Sequence, residues 1–183
     1  VDYQTAMRKN VERWNEDLQY DLVNRLIEQD NQGLDPTNQK NAKKLSDDER
    51  KAYFSTGATQ RFASRALSFR GIRVAFVGPN ATTDAKILSS DFVRKNVHAD
   101  AGIKSKGNNN FDISLPVKSI RKMRKEIVAQ TLETIRRRVE CSGLVEPDVR
   151  KAGATQIDIQ MPGISASKKQ EMRQVLGQTA ELT

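Results

Sequence analysis

Gln156-Ile157-Asp158-Ile159-Gln160-Met161-Pro162-Gly163 decides how this chain is read. Ile157, Ile159 and Met161 alternate with Gln156, Asp158 and Gln160, the two-residue period of a strand with one buried face. Pro162-Gly163 stops that strand, since proline cannot extend a ladder and glycine admits a turn. Upstream lies a long helical pattern over about 118–142, with Ile120, Met123, Ile127, Val128, Thr131, Leu132, Ile135 and Val139 on one stripe. Gly143 follows it, where a left-handed C-cap takes glycine. Pro147 forbids further helix and pushes Glu146 toward an extended shape. After Gly163 a final helix is expected.

Further upstream the signals alternate in the same way. Residues 2–30 form one long stripe through Tyr3, Met7, Val11, Trp14, Leu18, Leu22 and Leu26. Residues 33–66 are polar with helical pieces, among them a Ser46/Glu49 capping box, and read as an insertion. Ile72, Val74 and Phe76 mark a strand ended by Gly78-Pro79, and residues 83–96 read as a helix. Residues 102–110 read as a polar loop, and Phe111, Ile113 and Leu115 as a short strand. Helices alternating with single strands predict an α+β fold. The best match is a ferredoxin-like β-α-β sandwich, a small antiparallel sheet covered by long helices, in a single domain over 1–183 with a helical insertion at 33–66.

Composition excludes several chemistries. The single cysteine, Cys141, builds no disulfide and no Cys-x-x-Cys pair. The single histidine, His98, lies in a polar stretch beside Asp100 and reads as incidental. No phosphate-binding or dinucleotide-binding glycine motif is present. No enzyme, catalytic residue, cofactor or metal is therefore expected. The net charge of +8 favours acidic partners such as nucleic acid, anionic lipid or acidic protein. Binding of nucleic acid by a basic ferredoxin-like domain is the alternative function. It is disfavoured because Phe76 and Phe111 share the aliphatic faces of their strands, leaving no stacking platform. No apolar run is long enough to span a bilayer, and the chain begins at Val1 without a methionine, so a piece of a larger protein is expected.

The residues of the last third also resemble a family. Arg138-Val139, Gly143-Leu144-Val145-Glu146-Pro147, Val149, Gly153, Ile157-Asp158-Ile159-Gln160-Met161-Pro162-Gly163 and Leu176-Gly177-Gln178-Thr179-Ala180-Glu181-Leu182 are similar, in order and spacing, to SecD. SecD is the accessory membrane subunit of the bacterial Sec export machinery. The motif region spans 111–183. Arg137, Cys141-Ser142 and Lys151-Ala152 depart from the usual residues, and the family's Gly-Leu-Asp-Leu-x-Gly-Gly segment is absent. The resemblance implies part of the first extracytoplasmic domain, on the periplasmic side of the inner membrane, from a separate SecD or a SecD–SecF fusion. It implies SecF and the SecYEG translocon as partners and an unfolded preprotein as the contact during export driven by the proton-motive force. It assigns architectural roles to Arg138, Gly143, Glu146, Pro147, Gly153, Pro162, Gly163, Gly177, Thr179 and Ala180, with Arg138 and Glu146 as a candidate pair.

Overall fold

The first stripe is a single helix, α1 (Tyr3–Asp30). Val11, Trp14, Leu18, Leu22, Val23, Leu26 and Ile27 are buried along it, at the steps of one helical face. The computed structural model describes residues 3–141, 148–153 and 156–177. Where the sequence reading has one domain, the chain divides into two compact units: residues 8–116, and residues from Val117 onward grouped with the start of the chain through Met7.

The unit over 8–116 holds four antiparallel strands, β1 (Phe62–Ala66), β2 (Gly71–Phe76), β3 (Gly102–Gly107) and β4 (Asn110–Ser114), in the spatial order β1-β2-β4-β3. Phe62 pairs with Phe76, Ile72 with Ile113 and Val74 with Phe111. This register gathers the large apolar residues on one face, where Phe62, Ile72, Val74, Phe76 and Ile113 are buried. Burying each such side chain stabilises the fold by roughly 1.5–3 kcal/mol. Phe76 and Phe111 meet edge to face with ring centroids 6.2 Å apart, on the covered side as their alternation predicts. Gln19 of α1 donates to the Ser64 hydroxyl of β1 at 2.8 Å, tying helix to sheet.

A charged network closes one end of this unit. Asp84 is fully buried and accepts Arg61 Nε and Nη2, both at 2.7 Å, and Gln29 Nε2 at 3.2 Å. Arg61 Nη1 donates to Asp30 Oδ2 at 3.0 Å. The hydrogen bonds it donates to Asp84 hold the Arg61 guanidinium proton more tightly than usual, although burial pulls the other way.

Several local expectations change. Residues 33–66 do contain a short helix, α2 (Asp47–Lys51), with the Ser46/Glu49 capping box formed, but their last five residues are strand β1. Residues 102–110 are not a loop: they are β3, a two-residue hairpin turn and the first residue of β4. Asn108 and Asn109 have φ of 49° and 57°, the positive pair that a type I′ turn requires. The helix expected over 83–96 is broken into α3 (Ala81–Asp84), a 3-10 turn (Ala85–Ile87) and α4 (Ser90–Asn96). Ser89 causes the break by capping α4: its hydroxyl accepts the Phe92 amide at 3.2 Å.

The second unit contains α5 (Val117–Cys141), the antiparallel pair β5 (Asp148–Ala152) and β6 (Gln156–Gln160), and α6 (Ala166–Gly177). The sequence reading has α5, β6 and α6; β5 is new. Long helices with small antiparallel sheets make the molecule α+β, as the sequence predicts. No helix among the described residues is long and apolar enough to cross a membrane.

Candidate functional site

The segment carrying the family motifs is built around the C-terminal half of α5. Ile135 and Val139 form a core with Val149 of β5, and Leu132, Ile157, Ile159, Met161 and Ile164 pack against it. Ile135 and Val139 lie one helical turn apart on α5, so they share a face. Val149 stands opposite Ile159 in the β5–β6 register, which turns both toward this core. Arg136 fastens the helix to the strand backbone, donating from Nη2 to the Val149 carbonyl at 3.2 Å. On the other face Arg150 stands opposite Asp158 at 3.4 Å and reaches Asp148 at 3.8 Å. Exposed pairs of this kind contribute about 0–1 kcal/mol each.

Five of the ten family-motif residues lie along this path. Arg138 sits half-buried in the last turn of α5. Gly153 forms the β5–β6 turn with φ of 72°, and Gly163 follows Pro162 beyond β6 with φ of 70°. Open space surrounds the Cβ position at both, so any demand for glycine there comes from the left-handed backbone. Gly177 is the last residue of α6. Gly143, Glu146, Pro147, Thr179 and Ala180 lie outside the described residues, and the Arg138–Glu146 pair with them.

These residues form helix ends and turns, with no convergent acid, base and nucleophile among those described. No group of three or more His, Cys, Asp or Glu side chains is placed to hold a metal ion among the described residues. Cys141 is exposed at the end of α5. His98 is half-buried, not the exposed bystander its polar surroundings suggest. Its ring lies 5.8 Å from Trp14, and its Nδ1 accepts the Asp100 amide at 3.1 Å. A groove beside α1 is lined by Arg25, Glu28, Lys86, Asp91 and Lys95, charges of both signs with no focus.

One feature of the four-stranded sheet has no counterpart in the sequence reading. Arg65, Arg73, Asp112 and Lys104 stand side by side in one row across β1, β2, β4 and β3. Arg73 grips Asp112 through Nε and Nη2 at 2.7 and 3.0 Å, and Lys106 lies 3.6 Å from the same carboxylate. The Arg73 hydrogen bonds hold the Asp112 carboxyl below its usual range, although burial pushes the other way. The row is invisible until β1 and β3 are recognised as strands. The Asn108-Asn109 pair before Phe111 was the available signal.

Residues 128–183 match the family model described as protein translocase subunit SecDF, P1 domain, N-terminal. The SecD subunit of Acetobacter pasteurianus is 27% identical over 103 residues, 56% of this chain and 19% of that protein. The SecD of Syntrophobacter fumaroxidans is 40% identical over 65 residues, 36% of this chain and 12% of that protein. The SecD of Escherichia coli strain K12 is 32% identical over 85 residues, 46% of this chain and 14% of that protein. The chain thus spans less than a fifth of the length of these relatives. No solved structure matches. The matched segment runs from the buried half of α5 through the β5–β6 pair to α6, and family model and curated relatives agree in supporting a SecD P1-domain fragment.

Proposed function

We propose that this chain is part of the first extracytoplasmic domain of a Sec translocase accessory subunit that assists protein export without chemistry of its own. The observation that carries the reading is the family match over 128–183. It coincides with a packed unit of helix, strand pair and helix rather than with scattered positions. The subunit is anchored in the bacterial inner membrane by segments beyond this chain, with the domain on the periplasmic side. SecF and SecYEG are its partners, an emerging preprotein is its contact, and the proton-motive force drives the cycle. Arg138, Gly153, Pro162, Gly163 and Gly177 serve as architecture, fixing helix ends and turns so that the unit moves as one piece.

A nucleic-acid role draws support from the charge of +8. It is opposed by the sheet, whose Phe62 and Phe76 are buried on the covered face and are not available for base stacking.

Site-specific photocrosslinking tests the reading. A photoreactive residue replaces Gln156 or Gln160, both exposed on the β5–β6 pair, in the full-length subunit, and a preprotein is arrested in the channel. Adducts with the preprotein that depend on the proton gradient are expected. Normal assembly with no preprotein adduct at either position rejects the contact. Failure of the subunit to co-purify with SecF or SecYEG rejects the accessory role itself.

A further inference from the structure

The outer face of the four-stranded sheet has a composition that an ordinary solvated surface does not require. Its inner face is packed: Phe62, Ile72, Val74 and Ile113 are fully or almost fully buried. Its outer face carries Arg65, Arg73, Lys104 and Lys106 around a single carboxylate, Asp112. Arg73 is committed to Asp112 by two hydrogen bonds. Arg65 and Lys104 are exposed and have no ion-pair partner among the described residues. In the next row along, Ala63 and Ala75 pair with each other across β1 and β2, so no bulky side chain stands beside the arginines there.

We infer that this basic sheet face docks on the headgroups of an anionic phospholipid bilayer. Three features select that occupant. Unpaired cations on one plane complement anionic phosphates on another, and each Lys or Arg brought to such a surface strengthens binding by roughly fivefold. The alanines offer no pocket that would seat the side chains of an acidic peptide. The phenylalanines of the sheet lie on its other face, so a single strand of RNA finds charge but no stacking partner. Committing Arg73 to Asp112 keeps the middle of the row rigid while Arg65 and Lys104 project free at its two ends. The inference does not depend on the export role: it concerns the unit over 8–116, outside the segment that matches the family model.

Co-sedimentation of the 183-residue chain with vesicles tests it, using phosphatidylglycerol mixed equally with phosphatidylcholine, and phosphatidylcholine alone. Binding to the anionic vesicles only, weakening with salt, is expected. The variant R65E/K104E/K106E is expected to lose roughly 100-fold or more in affinity. The milder R65Q/K104Q, which keeps the Lys106–Asp112 contact, is expected to lose roughly 25-fold. The variant K118E/R121E/K125E on α5 changes net charge as much as the first and is expected to lose less than a tenth of that effect. Trp14 fluorescence confirms folding of each. Equal losses from the sheet and α5 variants would reduce the effect to net charge and overturn the inference. So would loss of binding to polyuridylate or polyglutamate by R65Q/K104Q with vesicle binding unchanged.

Discussion

Removing the Asp84 carboxylate is expected to cripple the 8–116 unit, and the cost can be worked from its contacts. Asp84 is 0% exposed and Arg61 18%. Asp84→Ala leaves Arg61 Nε and Nη2 without the oxygens they reach at 2.7 Å, in a place water barely enters, and it strips Gln29 of its acceptor. Breaking a buried pair from one side typically costs about 3–5 kcal/mol. Asp30 is 37% exposed and holds only Nη1, so Asp30→Ala is expected to cost no more than about 1 kcal/mol. Trp14, the only tryptophan, lies buried in α1 within this unit and reports its unfolding. With an m-value of about 2 kcal/mol/M in urea, Asp84→Ala lowers the fluorescence midpoint by roughly 2 M and Asp30→Ala by at most about 0.5 M. The double variant Arg61→Met with Asp84→Leu, which removes both charges, should recover much of the loss. Equal midpoints for the two single alanine variants would refute the argument, because burial would then not decide the cost.

Three further outcomes follow from other contacts. Ile135→Ala is expected to cost about 2–3 kcal/mol, the low end for large-to-small core changes because most of the surrounding residues are only partly buried; hydrogen exchange of the β5 and β6 amides should speed up, and unchanged protection would contradict the core. At Gly71 a Cβ would fall on the Ile113 carbonyl oxygen and within 3.1 Å of the Ser114 Cα, both backbone; Gly71→Ala should therefore cost about 1–3 kcal/mol in thermal or urea unfolding, and a neutral result would disprove that approach. Asp112 titrates below an ordinary carboxyl because Arg73 bonds its ionised form, so its stabilisation is complete above the unfolded value of about 3.9 and is lost as pH falls through the lower folded value. Arg73→Leu should move the Asp112 titration, followed by NMR, upward; no movement would remove Arg73 as its cause.

The elements that sequence reasoning found and those it missed differ in how much they bury. α1 and α5 carry apolar residues at every turn, and β2, β4 and β6 alternate cleanly, so their periods were legible. β1, β3 and β5 were missed, and each is an edge strand. β3 has one apolar residue, Ile103, between glycines and lysines, and β5 has Val149 and Ala152 alone. Lysines on an edge deter pairing with another chain, and the same lysines erase the alternation that marks a strand. The charged row on the outer sheet face was hidden for this reason, since two of its four positions lie on unread strands. The α5–β6 core was legible because both halves of the contact, Ile135 with Val139 and Ile157 with Ile159, carry their own period. Ser89 shows a different limit: one capping hydroxyl splits a run whose apolar spacing alone reads as continuous.

Trp14 and Cys141 are each unique in the chain, and they fall in different units. Trp14 is buried in α1, while the Cys141 thiol is exposed at the end of α5. The molecule therefore carries a built-in donor and a single attachment point for an energy-transfer acceptor, one on each side of the division between its units. A maleimide dye on Cys141 turns the native sequence into a ruler whose signal changes when one unit swings against the other. Opening, closing and ligand-driven rearrangement become observable in real time without introducing a mutation.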